Sequence, residues 1–390
     1  MTDLVVDAYS EGWLRKGFPW VYPKEVQRGR ARPGDRVRLR SAKGDVLGTG
    51  LADDGFLAAR LLRHGDGAAD REWLFSLLDR AAALRDVVID AGTDGYRLVN
   101  AECDGLPGVR IDWWRTFAVI CFDSASLRPL VPDLVAWLED RRQPRGVVLC
   151  FRPDHRDPDR GALPGPTMVA GHPPPGAVRV RERELRFDVW PLEGPDVGLY
   201  PDMREVRAWL EPTWGGTTVL NTFAYTGAFS VSAARNGAAE VVSVDLSGRY
   251  LSRAEDNFRA NELDPEQHEF LEEDVFKALD RFRRTGRRFD RVVLDPPSFS
   301  HGAGVFSAKN DSARLIAAAA RVTEPGGWIV ACSNLGEVSP KVFDGWIGDG
   351  LRKAGRQAQV LASLGQAADH PAATWFPEGR YLKVRVLRLD

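Results

Sequence analysis

The chain has 390 residues, 44% of them hydrophobic, and a formal net charge of −2. That length is more than one hydrophobic core usually holds, so two or three domains are expected, and the charge does not mark a nucleic-acid binder. No apolar run approaches the roughly 20 residues a membrane span needs, and Met1 is followed by Thr-Asp-Leu-Val-Val-Asp, with neither a basic nor an apolar leader segment, so a cytoplasmic protein is expected.

Charge is unevenly distributed. Residues 11–40 hold nine Lys or Arg against three Asp or Glu, an excess of +6 that can meet phosphates. Three short alternating runs follow, Arg36 to Arg40, Val46 to Leu51 and Phe56 to Leu62, with Gly or Asp turns between them. They predict a small antiparallel barrel in residues 1–72. The arginines of Arg36-Val37-Arg38-Leu39-Arg40 line one face, where they either track phosphates or keep an edge strand solvated. Residues 73–190 read as a central α/β module: a helix from Glu72 to Leu84, a strand at Tyr96 to Asn100, one long apolar strand from Val109 to Phe122, and a helix from Leu130 to Arg141. Seven prolines between Arg152 and Gly176 predict loop or linker, and a hairpin follows at Val178 to Arg181 and Leu185 to Trp190. Four cysteines, Cys103, Cys121, Cys150 and Cys332, never form C-x-x-C, so no metal site and no disulfide framework is indicated.

Residues 191–390 carry the chemistry. In Asp202-Met203-Arg204-Glu205-Val206-Arg207 the spacing predicts a helix capped by Asp202, with Arg204 and Arg207 one turn apart and read as surface charges. From Thr217 an apolar strand runs through Asn221-Thr222-Phe223-Ala224-Tyr225-Thr226-Gly227 into a helix, and the next strand ends at Asp245, eighteen residues past Gly227. This is a nucleotide-type βαβ unit in which Gly227 would let the backbone approach a ligand and Asp245 would accept both hydroxyls of a ribose. A bare crossover without a ligand is the alternative. A dinucleotide needs three glycines to seat its pyrophosphate, and only Gly227 is present, so a nucleoside without a diphosphate is expected; S-adenosylmethionine fits. Ser247 caps the next helix, a third strand ends near Asp274 and Val275, where a purine could be read, and a fourth ends at Asp295-Pro296-Pro297-Ser298-Phe299. Arg281 to Arg291 holds six arginines and one aspartate, either a solvated loop or a second phosphate contact. The fifth strand leads to Cys332-Ser333-Asn334. Open parallel sheets bind ligands at the carboxyl ends of their strands, and Asp245, Asp274, Asp295 and Cys332 all fall at such ends.

These motifs resemble those of class I S-adenosylmethionine methyltransferases. Asp104-Gly105-Leu106-Pro107-Gly108, Asp202-x-Arg204, and the tail Gln366-Ala367-Ala368-Asp369-His370-Pro371 with Pro377-Glu378-Gly379-x-Tyr381-Leu382-Lys383 are similar, more narrowly, to the RlmI-type 23S ribosomal RNA cytosine-5 methyltransferases. Gly17-Phe18-Pro19-Trp20-Val21-Tyr22 resembles a PUA domain, an RNA-binding barrel, with Phe18 where that family usually has His. The sequence also departs from the family at Met203, at Ala228 after Gly227, and at Asn334.

The resemblance implies a C-terminal Rossmann-like doubly wound methyltransferase domain (residues 191–390), an N-terminal PUA-like β-barrel and a central α/β module. It implies S-adenosylmethionine held by Arg204, Asn221, Phe223, Ala224, Tyr225, Thr226, Gly227, Asp245, Leu246, Asp274, Val275 and Asp295. The base would meet Pro296, Phe299 and His370, and the partner would be ribosomal RNA, with a homodimer left open. Carbon 5 of cytosine is a poor nucleophile, so a thiolate adding at carbon 6 must first make an enamine of the ring. Cys332, which alone would read as a buried structural residue, is implied as that nucleophile, and Asp295 as the group that hydrogen-bonds ring nitrogen 3 and the exocyclic amine. A guanine methyltransferase on the same fold would leave Cys332 dispensable. A nicotinamide oxidoreductase is disfavoured by the missing glycines, and a non-catalytic RNA-binding factor would tolerate loss of the cofactor site.

Overall fold

The N-terminal alternation becomes a six-stranded sheet of β1 (Thr2–Val6), β2 (Trp20–Val21), β3 (Val26–Arg28), β4 (Arg36–Arg40), β5 (Val46–Ala52) and β6 (Ala59–His64), in the order β2-β6-β5-β4-β1-β3. Helix α1 (Ala8–Arg15) follows β1, and β1 runs parallel to β4 while the other pairs are antiparallel. The computed structural model describes residues 1–153, 163–194, 196–297 and 306–390. They divide into two compact units: Met1–Arg183 with Val189–Val197 and Ala368–Gly379, and Glu184–Asp188 with Gly198–Ala367 and Arg380–Asp390.

In the first unit, Asp70 caps α2 (Arg71–Val88) by accepting from the Trp73 N–H at 2.9 Å. A five-stranded sheet follows, β7 (Gly95–Asn100), β8 (Val109–Trp114), β9 (Phe117–Phe122), β10 (Gly146–Phe151) and β11 (Thr167–Gly171), ordered β11-β10-β9-β8-β7, with α3 (Val131–Arg141) between β9 and β10. The apolar run expected as one strand is two. Arg115, at φ 61°, turns the chain, so that Trp114 pairs with Phe117 and the run folds back as a hairpin with both strands in the sheet. Part of the proline-rich segment is also strand: β11 pairs antiparallel with β10, its ladder built from Thr167 to Gly171, a stretch free of proline. The tail motif belongs here. Asp369 accepts from the Arg97 N–H at 2.9 Å and its carbonyl accepts from Arg85 Nη2 at 2.7 Å, while the Pro371 carbonyl accepts from Asn100 at 3.0 Å. β12 (Val178–Glu182) comes last in this stretch of the first unit, and β13 (Leu185–Val189), the second strand of the hairpin, lies in the second unit but for Val189.

In the second unit, α4 (Arg204–Leu210) precedes a seven-stranded sheet of β14 (Thr218–Thr222), β15 (Glu240–Asp245), β16 (Glu269–Glu272), β17 (Phe289–Leu294), β18 (Thr323–Ser333), β19 (Ala358–Leu364) and β20 (Lys383–Leu389), in the order β16-β15-β14-β17-β18-β20-β19. The first five in that order, β16, β15, β14, β17 and β18, pair in parallel, and β20 pairs antiparallel with β18 and β19. The helices α5 (Ala228–Arg235), α6 (Gly248–Ala260), α7 (Val275–Thr285), α8 (Ala308–Val322) and α9 (Pro340–Ala354) cover it. Both faces of its central strands are buried, which is why those strands read as near-continuous apolar runs. Val219, Val293 and Val330 pack with α4 and α5, and their neighbours Leu220, Val292 and Ile329 pack with α7, α8 and α9. On α6, capped by Ser247, Asn257 and Asn261 accept from the Asp188 and Arg186 N–H groups at 2.9 Å each and so hold β13 residues against the helix. In the arginine-rich run four of the six arginines are ion-paired: Arg281 with Glu273, Arg283 and Arg284 with Asp280, and Arg287 with Glu240 and Glu269.

Candidate active site

The loop from β14 to α5 is strained and tied down. Phe223 and Tyr225 have φ of 53° and 51°, conformations that cost non-glycine residues of order 1–2 kcal/mol each. The strain is offset by hydrogen bonds from Ala224 N to the Val244 carbonyl (3.0 Å), from Thr226 Oγ1 to the Gly198 carbonyl (2.5 Å), and from Asn257 Nδ2 to the Thr226 carbonyl (2.9 Å). Ring contacts add to this: Tyr225 lies 4.5 Å from Tyr250 and 5.3 Å from Tyr200, and Phe223 lies 5.5 Å from Phe306. Gly227 has φ 78°, and a Cβ there would sit 2.8 Å from the Cβ of Ala254. The close approach of α6 and the left-handed backbone both require a bare residue here.

At the end of β15, Asp245 Oδ2 accepts from the Tyr225 N–H and Oδ1 from the Ser247 N–H, both at 2.9 Å. Burial pushes its carboxyl above the ordinary range, and these N–H groups, with that of Leu246, oppose the rise. Each oxygen retains a second lone pair, so the carboxylate can still accept a pair of ribose hydroxyls. Beside it, Leu246 is 51% exposed, an apolar surface suited to a flat ring. Asp274 caps α7 by accepting from the Lys277 N–H at 3.0 Å. Side chains of Asn221, Thr226 and Val275 are engaged inside the protein: Asn221 donates to Ser230 at 2.9 Å, Thr226 holds Gly198, and Val275 packs in the core.

A second cluster forms where β17 and β18 end. Parallel register pairs Val293 with Val330 and Leu294 with Ala331, so Asp295 comes next to Cys332, which is 4% exposed and pairs with Val384 of β20. Asp202 does not cap α4, whose N-cap is Met203; instead its Oδ2 accepts from the Tyr381 hydroxyl at 2.8 Å and its carbonyl accepts from the Ala367 N–H at 2.9 Å. Arg204 and Arg207 are buried, at 1% and 2% exposure, which overturns the surface reading. Arg207 donates to the Tyr200 carbonyl at 3.1 Å and lies 5.6 Å over the Phe229 ring. Burial, followed by the charge of Asp202, pushes the Asp295 carboxyl up to about 7, with Arg207 opposing. Burial and the charges of Asp295 and Asp202 push the Cys332 thiol well above its ordinary value. The protein alone therefore keeps this sulfur protonated, and it must pass its proton to a neighbour before it can attack.

The second unit thus brings together Asp202, Arg207, Asp295, Cys332 and Tyr381. Pro296 is buried directly after Asp295, and Phe299 lies outside the described residues. His370 lies in the first unit, 2% exposed, with Nδ1 3.4 Å from Asp369 Oδ1. Asp202, Arg207 and Tyr381 were not singled out for the site by sequence reasoning; the acid-and-arginine spacing and the tail tyrosine were visible, their convergence was not. Among the described residues, no group of three His, Cys, Asp or Glu side chains is placed to hold a metal ion, and no helix is long and apolar enough to cross a membrane.

This arrangement, acids and a cysteine at successive strand ends of a doubly wound sheet, is that of a nucleoside-cofactor transferase. The family model for S-adenosylmethionine-dependent methyltransferases matches residues 154–361, and that for a PUA-like domain matches residues 4–63. Proteins named ribosomal RNA large subunit methyltransferase I are similar over almost the full length: that of Serratia proteamaculans is 33% identical, covering 95% of each chain, and that of Aeromonas salmonicida is 33% identical, covering 96% of each. Among solved structures, SMU.776, complexed with SAH, superposes with a TM-score of 0.90 at 25% identity over 100% of both chains. The chain belongs to the S-adenosylmethionine-dependent methyltransferases, in the family of the ribosomal RNA large subunit methyltransferase I proteins.

Proposed function

We propose that the chain methylates carbon 5 of a cytosine in large-subunit ribosomal RNA through a covalent adduct at Cys332. The target class is supported by the names of relatives matched over 95% of the chain, and the chemistry by one observation, the register that sets Asp295 beside Cys332. Asp245 and Leu246 would hold the ribose and adenine of S-adenosylmethionine, with Tyr225 and Asp274 at the rim of that pocket. When bound, the cofactor supplies the methyl group and a positive sulfonium.

A base flipped from its stack would meet Asp295 at ring nitrogen 3. As a carboxylate, Asp295 takes the thiol proton of Cys332 and, as the neutral acid, passes it to nitrogen 3 while sulfur adds at carbon 6. A carboxyl that titrates near 7 is suited to both halves of that transfer. The ring then carries its electron density at carbon 5, where the methyl is accepted. Arg207, held by the Tyr200 carbonyl, keeps the carboxyl from remaining permanently neutral. RNA reaches the enzyme through the basic N-terminal stretch, and such a substrate places the work in the cytoplasm.

The high thiol is also what a structural cysteine would show, so guanine methylation without a covalent step is the reading to exclude. RNA bearing 5-fluorocytosine at the target should trap the enzyme, because fluorine cannot leave as a proton does. Cys332→Ser should lose both trap and turnover and still bind S-adenosylmethionine by calorimetry. Full activity in that variant would sink the cytosine reading and promote guanine.

A further inference from the structure

Once a methyl group stands on carbon 5, the ring still carries the original hydrogen there and the sulfur at carbon 6, and the product leaves only when some base removes that hydrogen. Asp295 is occupied: in the scheme above it has given its proton to nitrogen 3 and stays hydrogen-bonded to that edge. A second acceptor is therefore needed. It must lie on the sulfur's side of the ring, since methyl and sulfur come to a flat ring from opposite faces and leave the carbon-5 hydrogen on the sulfur's face.

We propose that Asp202 is that base. Three independent observations aim its carboxylate. Tyr381 donates to Oδ2 at 2.8 Å, and the Ala367 N–H fixes the Asp202 backbone at 2.9 Å, so the side chain is held from two remote segments. Oδ1 is buried and has no hydrogen-bond partner among the described residues, a charged acceptor left open where burial makes an unused lone pair costly. Met203 and Leu382, which follow Asp202 and Tyr381 in the chain, pack in the same buried cluster as Cys332, so the two segments that hold the carboxylate belong to the cluster that holds the sulfur. The charge of Asp202 also acts on both Cys332 and Asp295, as a group within short electrostatic range must.

The step balances. Asp202 takes the carbon-5 proton; the electron pair of that C–H bond forms the carbon 5–carbon 6 double bond; the carbon 6–sulfur bond breaks and its pair returns to Cys332 as thiolate. Nitrogen 3 gives its proton back to Asp295, which restores the Cys332 thiol. The one proton released overall leaves from Asp202 to solvent.

This inference rests on the covalent reading, and the experiment separates the two. Full-length wild type and Asp202→Asn are each given S-adenosylmethionine and either unmodified or 5-fluorocytosine RNA, and protein–RNA adducts are followed on denaturing gels and by mass. Both proteins should be trapped by 5-fluorocytosine RNA. With unmodified RNA, wild type turns over without accumulating adduct, whereas Asp202→Asn transfers one methyl and stalls as an adduct 14 Da heavier than the unmethylated one, with release slowed at least about 100-fold, the low end for loss of a general base. Normal turnover in Asp202→Asn, or loss of its 5-fluorocytosine trap, would overturn the role of Asp202. Failure of wild type to be trapped would instead bring down the Cys332 reading. Should Asp202→Asn not fold, Asp202→Glu keeps the charge at a different reach: it should show a transient adduct, and release at the wild-type rate would exclude the proposal.

Discussion

Asp295→Asn tests the electrostatics of the site without any need for substrate. In the folded chain the Asp295 carboxyl is raised from 3.8 to about 7, a gap of about three pH units at about 1.4 kcal/mol each. The direction follows from proton counting. Between pH 3.8 and 7 the folded state binds the proton more tightly than the unfolded chain, so stability falls as pH rises through this window; below it the destabilisation is absent, and above it complete. The maximum is about 4 kcal/mol, a ceiling because water entering the half-buried site would lower it. Asparagine carries no charge at any pH. Its variant should therefore unfold at higher urea than wild type at pH 8, by about 2–4 kcal/mol, and by only about 1 kcal/mol at pH 4.5, read by tryptophan fluorescence. Asp202→Asn should recover only the smaller part, since burial is the larger cause and the Asp202 charge the second. Equal midpoints for wild type and Asp295→Asn at pH 8 would refute the claim that this carboxylate is held at a cost to the fold.

Gly227→Ala should destabilise the second unit by about 2–4 kcal/mol, from the left-handed φ and the 2.8 Å contact with Ala254; adding Ala254→Gly should restore the contact part in a double-mutant cycle measured by urea unfolding. Asp245→Ala should weaken S-adenosylmethionine binding at least tenfold by calorimetry, about 1.4 kcal/mol or more; unchanged affinity would remove Asp245 from the ribose. Arg28, Arg30 and Arg32 are exposed in the basic stretch, and their joint replacement by Gln should reduce the slope of log affinity against log salt by about 2 for single-stranded RNA, read by fluorescence anisotropy.

Much of this molecule follows from local patterns that sequence alone determines. Apolar runs broken by turns predicted the five parallel strands of the second unit, though not β19 and β20, and the parallel-sheet rule then put Asp245, Asp274, Asp295 and Cys332 at strand ends, because strand direction and the side-chain period of two are properties of the backbone. Ser247 was recognisable as a helix start for the same reason: a cap is satisfied within three residues. Whatever depends on a distant neighbour was decided only by tertiary structure. Whether Arg207 is a surface charge or a buried one depends on Phe229 and on the Tyr200 carbonyl, and whether Asp202 caps a helix or faces the site depends on Tyr381, 179 residues away. The reason Gly227 must be glycine lies in Ala254 on another helix, and Arg287 finds its carboxylates, Glu240 and Glu269, on β15 and β16. The same holds for the chemistry. A thiol or carboxyl acquires its proton affinity from burial and from nearby charges, and for Cys332 and Asp295 these come from segments that meet only when the sheet closes.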